Sequence, residues 1–461
     1  MMSAAAIAAE VRSGRRSARS FAEDAIAAIR AKDGAIGAVT RLLDTRALAE
    51  ADAVDAIVAA GLDPGPLAVV PYGVKDLFDV AGLPTTAGAG MRADATPAGA
   101  DAEAITRLKA AGAVLVATLN MDEYAYGFVT VNAAYGTTRN PHDTKRLAGG
   151  SSGGSAAVVA SGMLPLALGS DTNGSIRIPA ALTGVYGLKP THGELPMAGV
   201  FPFVESFDDI GPFARSTEDL ELAWNMLRHP REGGGLSNPS ASDDSGWVPA
   251  FAGVTMSVAR LDGWFRADAG PELLEGLDGL ADALGGGPLV ELPEVARARS
   301  AAFVMTAAEV GALHMPTLRT RAMDYDPATR DRLIAGALLP AAHYVRAQRF
   351  RAWFAARADE LFERFDVLLA PAAPCVAPLI DDPTMIVGGE RVAARANIGL
   401  LTQPLSFIGL PVLTVPLLRP GRLPLGVQLV GKPGSEATLF AAAARLEAAG
   451  LTGFSEPRDV R

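Results

Sequence analysis

Gly149-Gly150-Ser151-Ser152-Gly153-Gly154-Ser155 and Gly169-Ser170-Asp171-Thr172-Asn173-Gly174-Ser175-Ile176-Arg177 set hydroxyl groups beside a main chain with little side-chain bulk. Glycine lets the backbone approach a ligand closely, and consecutive N–H groups in such turns form a concave anion site. If Ser175 attacks a carbonyl, the amides of Thr172, Asn173, Gly174 and Ser175 are placed to hold the developing oxyanion. Loss of one such donor typically costs ~3 kcal/mol of transition-state stabilisation. The first run reads as a loop that opens a helix, because a polar segment precedes it and an Ala/Val run follows.

A serine hydroxyl is a poor nucleophile at neutral pH and needs a base within hydrogen-bond reach. None of the five histidines, His142, His192, His229, His314 and His343, sits in a recognisable catalytic motif. A desolvated lysine can serve instead. Lys75 lies in Pro71-Tyr72-Gly73-Val74-Lys75-Asp76-Leu77-Phe78, directly after an apolar run, where burial disfavours the ammonium form. Taken alone, a lysine there more often makes an ordinary ion pair, here with Asp76 or Asp79. Gly150-x-Ser152-x-Gly154 fits the nucleophile-elbow pattern, but residues 143–148 do not read as the strand that an elbow requires. The lysine of a phosphate-cradling G-x-x-x-x-G-K-[ST] loop is missing too.

Outward from these loops, residues 18–30 carry apolar positions at helical spacing, and 45–60 are rich in alanine, so the chain opens with helices. Short β-branched runs at 67–74 and 114–119 flank a helical run at 102–111. Further strands are expected at 254–259, 367–370, 412–415 and 426–430, and further helices at 271–284 and 333–365. Strands alternating with helices define an α/β sheet. The Gly/Ser/Asp/Pro cluster at 232–246 reads as a mobile surface connection.

The 461 residues, 49% hydrophobic and 20% charged, contain ample material for a large core. A formal charge of −10 with no basic block argues against direct nucleic-acid binding. The single cysteine, Cys375, excludes an internal disulfide and a cysteine metal cluster, which fits a reducing cytoplasm. Arg12, Arg15, Arg16 and Arg19 are spread through the N-terminal residues, so no export signal is expected. The apolar stretch 156–168 is broken by Ser161, Gly162 and Pro165 and is too short to cross a membrane.

Lys75 in G-V-K-D, the run G-G-S-S-G-G-S-A-A from Gly149 and S-D-T-N-G-S-I-R-I-P-A from Ser170 resemble the amidase signature family. The likeness continues through G-V-Y-G-L-K-P-T from Gly184, D-I-G-P from Asp209, G-L-P from Gly409 and P-L-G-V-Q from Pro424. It implies one amidase domain over residues 1–461, a helical flank at about 1–65, and a mixed central β-sheet sandwiched between layers of helices. It further implies that Lys75 is the base, Ser151 a bridging residue in a cis peptide and Ser175 the nucleophile, with no metal or organic cofactor. Asp171 and Arg177 then brace the nucleophile loop, and Ser152 and Ser155 support it by hydrogen bonds. Two positions depart from the common pattern: Asn173 stands where glycine is usual, and Glu194 where arginine is usual.

Segments 119–128, 263–266 and 344–350, together with Asn173, resemble one branch of the family, the 1-carboxybiuret hydrolases of cyanuric acid breakdown. The branch implies a small urea-like amide bearing a carboxylate, released as ammonia and a dicarboxylated urea. A carboxylate suits a guanidinium fork. Arg319, Arg321, Arg330, Arg346 and Arg349 are candidates for it, with hydrogen bonds from Tyr124, Tyr344 and Gln348. The glutamine-hydrolysing component of a tRNA-dependent amidotransferase, its A component, would carry much the same signature. Relatives of both kinds imply a small helical partner resembling the amidotransferase C component, in a homodimer or heterotetramer.

Overall fold

The structure, a computed structural model, describes residues 2–228 and 256–457. The connection expected at 232–246 lies outside them. Eleven strands form one sheet: β1 (Val39–Leu42), β2 (Pro71–Lys75), β3 (Val114–Leu119), β4 (Leu166–Asp171), β5 (Tyr186–Lys189), β6 (Asp209–Ala214), β7 (Val258–Leu261), β8 (Leu289–Val290), β9 (Val367–Pro371), β10 (Val412–Pro416) and β11 (Gly426–Gly431). Their spatial order is β1-β3-β2-β4-β6-β5-β10-β11-β9-β7-β8. The pairs β3/β2, β2/β4, β9/β7 and β7/β8 are parallel and the rest antiparallel, so the sheet is mixed, as the family resemblance implies.

Successive side chains of a strand point to opposite faces. Strands β2, β3, β4, β5, β6, β9, β10 and β11 are buried at every position, so both faces of the central sheet are covered. Helices supply the cover. Ala18–Ile36 is typical: Ser17 caps its first turn, Gly37 ends it in left-handed backbone, and Phe21, Ala22, Ala25, Ile26 and Ile29 form its buried stripe. The N-terminal flank joins the sheet directly, because β1 pairs antiparallel with β3. Buried apolar residues from Ala4 to Leu446 form a single cluster.

Four sequence expectations change. The strand expected at 67–74 is confined to β2, because residues 67–70 turn, with Val69 in left-handed backbone. The helical run expected at 333–365 is two helices, Pro327–Ala337 and Ala341–Phe362, parted at Pro340, which lacks the N–H to continue the first. The strand expected from residue 254 begins at Val258 in β7, and residues 254–255 are not among those described. Residues Asp143–Leu147 do form a strand, in a two-stranded ribbon with Arg139–Asn140 apart from the main sheet.

Candidate active site

Parallel neighbours β2 and β4 end side by side, with Val74 opposite Leu168, and ligands of open α/β sheets collect beyond such carboxyl ends. Lys75 is the last residue of β2, and Ser170 and Asp171 the last two of β4. The loop before helix Gly153–Ala160 crosses above them, and its Gly150–Ser151 peptide bond is cis. Lys75 Nζ, fully buried, donates to Ser151 Oγ at 2.7 Å and to Ser170 Oγ at 2.9 Å. Burial lowers the Lys75 amine to about 7, against the opposing pull of the Asp122, Asp208 and Asp171 carboxylates. A lysine poised there can hold or give up a proton at neutral pH.

Ser175 follows the turn after β4, and the Ser152 amide donates to its carbonyl at 3.3 Å. Ser175 lines a cavity, and its hydroxyl makes no hydrogen bond among the described residues, so the contact with Ser151 expected of a relay is not closed in this structure. Asp171 organises the turn. Its Oδ1 accepts from the Gly174 amide at 2.7 Å and its Oδ2 from the Ile176 amide at 3.1 Å. This alters the expected oxyanion row: the Gly174 N–H is already engaged by Asp171, whereas those of Thr172, Asn173 and Ser175 have no acceptor among the described residues.

Arg177 is fully buried and forks onto Asp171 with Nε and Nη2, each at 3.0 Å. Its Nη1 donates to Thr402 O and Gln428 Oε1, and its Nη2 also to Ser406 Oγ. Burial works against the Asp171 charge, but the Arg177 guanidinium outweighs it and holds the carboxyl below its usual range. Neither residue lines the cavity. Ser152 Oγ donates to Ser170 O at 3.0 Å and Ser155 Oγ to Leu168 O at 2.9 Å, which ties the helix to β4. Ser152 is thereby occupied in a structural bond, which removes the nucleophile-elbow reading despite the strand Asp143–Leu147.

The cavity is narrow and is lined by Thr172, Asn173 and Ser175 together with Tyr126, Phe128 and Arg332 among others. Asn173 donates to Thr306 Oγ1 at 3.0 Å, so the side chain that replaces the usual glycine forms part of the wall. Thr172 Oγ1 donates at 2.6 Å to buried Asp208, whose other oxygen accepts the Phe203 and Val204 amides. Glu194 lies in the turn after β5, its amide donating to Thr191 O, and does not line the cavity.

None of the residues expected to hold substrate lines the cavity. Tyr124 packs among His314, Tyr325 and Phe201. Tyr344 donates to Glu309 at 3.0 Å and accepts from Gln348 at 3.1 Å on the helices outside. Arg319, Arg346 and Arg349 are exposed, while Arg321 and Arg330 pair with Asp324 and Asp331. The cation and the tyrosine at the cavity are instead Arg332 and Tyr126. Arg332 Nη1 donates to Tyr126 O at 2.9 Å, its guanidinium carbon lies 3.6 Å from the centre of the Tyr126 ring, and it pairs with no carboxylate among the described residues. Arg332 is three residues after buried Thr329 and four before buried Gly336, on the inward face of its helix, a placement that only their burial reveals.

Residues 21–440 match the amidase family, and the chain belongs to that family, whose chemistry is hydrolysis of amide C–N bonds. The chain is 48% identical to AtzE of Pseudomonas sp. strain ADP, a component of 1-carboxybiuret hydrolase, over 96% of this chain and 97% of that one. It is 34% identical to the A component of the glutamyl-tRNA(Gln) amidotransferase of Symbiobacterium thermophilum, over 95% of each. A solved structure described as an unexpected vestigial protein complex that reveals the evolutionary origins of an s-triazine catabolic enzyme superposes with TM-score 0.92 at 46% identity, covering 98% of this chain and 100% of that one. Among the described residues no helix is long and apolar enough to cross a membrane.

Proposed function

We propose that this amidase hydrolyses 1-carboxybiuret to 1,3-dicarboxyurea and ammonia, with Lys75 as base, Ser151 as proton carrier and Ser175 as nucleophile. The observation that carries the mechanism is the 2.7 Å contact of a buried, near-neutral Lys75 with Ser151, beside the cavity that Ser175 lines. As substrate enters, the Ser175 hydroxyl turns to Ser151, since catalytic hydrogen bonds often tighten only in the complex. Ser151 takes the Ser175 proton and passes its own to Lys75 while Ser175 Oγ bonds to the terminal carbamoyl carbon. The amides of Thr172, Asn173 and Ser175 receive the oxyanion. Lys75 then returns the proton through Ser151 to the leaving nitrogen, ammonia departs, and water activated by the same relay releases the acyl group from Ser175.

The substrate assignment rests on the likeness to the carboxybiuret hydrolase component and on Arg332, a guanidinium at the cavity with no carboxylate partner among the described residues, which suits a carboxylate at the far end of a short urea chain. Asp171 and Arg177 shape the turn, with Ser152 holding the loop above it. We also infer a cytoplasmic enzyme forming a single domain, bound to a small helical partner in a homodimer or heterotetramer, which mass analysis of the copurified complex tests. An ammonia-release screen with carboxybiuret, biuret, allophanate, malonamate and glutamine tests the substrate. Turnover of carboxybiuret above the others is expected, and release from glutamine alone, dependent on a larger companion protein, would make the chain the A component of an amidotransferase.

A further inference from the structure

Behind the loop that carries Ser151 lies a fully buried carboxylate that the mechanism above does not use. Asp122 follows β3, and its amide donates to Ser151 O at 3.3 Å. Its Oδ2 accepts the amides of Val129 at 3.1 Å and Thr130 at 2.9 Å, and Thr130 Oγ1 in turn donates to Ser151 O at 3.4 Å. Gly127, on the cavity wall, and Gly150, before Ser151, pack so closely on this carboxylate that neither has room for a Cβ. The other oxygen, Oδ1, has no hydrogen bond. Its one cationic neighbour within ion-pair distance among the described residues is Arg395, whose Nη1 is 3.5 Å away and also donates to Val131 O at 3.4 Å.

Arg395 reaches inward from the short helix Ala394–Asn397, which follows an exposed hairpin of Thr384–Val387 and Glu390–Ala393. Its Nε and Nη2 are buried without partners, so the Asp122 contact is its single ion pair among the described residues. The Val129 and Thr130 amides hold this carboxylate with or without Arg395, so removal of the guanidinium leaves its charge acting undiminished on its surroundings. The compensation matters because Asp122 is also the carboxylate whose charge acts most strongly on the Lys75 amine.

We propose that Arg395 is a positioning residue for the reaction: by neutralising Asp122 it limits the negative charge felt by Lys75 and anchors the 129–131 segment beneath Ser151. The inference rests on the reading of Lys75 as the base. The other charges around the amine are already committed: Asp171 forks with Arg177, and Asp208 accepts from Thr172 and two amides. Around Arg395 and Asp122 the other charged groups among the described residues include Lys75 itself, Glu123, pushed up to about 7 mainly by burial, and Arg332. Without Arg395, the full Asp122 charge favours the ammonium form of Lys75, and the amine needs a more alkaline solution to become a base. Without the Asp122 charge, the opposite shift follows.

The test is the pH dependence of Ser175 labelling by a fluorophosphonate, measured on the full-length wild type and on the R395Q, R395K, D122N and K75A variants, with thermal melts to confirm folding. Labelling in the wild type should rise through about 7 and vanish in K75A. R395Q should move that rise upward by about half a unit to one unit, D122N should move it downward, and R395K should restore it. A rise in folded R395Q that coincides with wild type overturns the role of Arg395 while leaving Lys75 as the base, and it decides the matter even if D122N does not fold. A wild type with no rise near neutrality, or a K75A variant that labels normally, overturns the Lys75 reading and this inference with it.

Discussion

Lys75 Nζ lies 2.9 Å from Ser170 Oγ, on the strand next to its own, while also reaching Ser151. When the Lys75 ammonium loses a proton it keeps two N–H bonds and gains a lone pair, so a hydrogen bond still donated to Ser170 fixes its rotation and turns the lone pair to Ser151. Replacing Ser170 by alanine should therefore lower kcat for ammonia release about tenfold with KM little changed, the worth of one hydrogen bond to a charged or charging group. Ser170→Thr, which keeps the hydroxyl, should recover most of the rate, and steady-state kinetics on the three proteins check the difference.

The state of Lys75 sets the sign of the pH profile. Burial lowers its amine to about 7, and only the unprotonated amine accepts a proton from Ser151. The value of kcat/KM should thus rise with pH through about 7 and level off above it, with the ammonium form inactive below. Replacing Lys75 by alanine should remove turnover while the thermal transition remains. A variant that kept near-normal activity would sink the relay.

Arg177 makes a different kind of prediction because it is wholly buried and bonds Asp171, Thr402, Ser406 and Gln428 at once. Changing it to methionine keeps much of the volume but leaves the Asp171 carboxylate unpaired in the interior. Breaking one partner of a buried pair typically costs ~3–5 kcal/mol. Denaturant unfolding should show a loss of that order, and the Gly174 and Ile176 turn that Asp171 holds should no longer present Ser175 for phosphonate labelling.

The residues legible from sequence are those whose spacing along the chain already describes the chemistry. Lys75 ends an apolar strand, and Ser151 and Ser175 sit in glycine-rich turns, so their burial and exposed amides follow locally. Strands β5 and β6 are not legible, because Tyr186-Gly187-Leu188-Lys189 and Asp209-Ile210-Gly211-Pro212-Phe213-Ala214 carry glycine, proline and charged ends. Proline and glycine ordinarily mark an edge or a break, and only pairing in the middle of the sheet makes these segments strands. Ser170 reads as part of a motif without a partner, since its contact with Lys75 joins residues far apart in the chain. The cation at the cavity escapes the sequence for a related reason: several arginines crowd residues 319–349, and only the buried positions Thr329, Leu333 and Gly336 decide which face of helix Pro327–Ala337 turns inward.

That inward arginine yields the sharpest prediction about substrate choice. Arg332 stacks on Tyr126, keeps one N–H bond to Tyr126 O and has no carboxylate partner among the described residues. Burial, the largest influence on it, lowers its pKa below the usual guanidinium value, so the site bears the cost of a desolvated cation that a substrate carboxylate would offset. Arg332→Gln preserves a polar side chain but removes the charge. For carboxybiuret, kcat/KM should fall by roughly 30- to 150-fold, equivalent to the ~2–3 kcal/mol of a charge-assisted hydrogen bond. For biuret, which lacks the carboxylate, the same substitution should change kcat/KM by less than about threefold. Substitutions of the exposed Arg319 and Arg346 should leave both substrates unaffected. Equal losses on the two substrates would assign Arg332 to holding the Tyr126 wall and would separate the carboxylate site from this guanidinium.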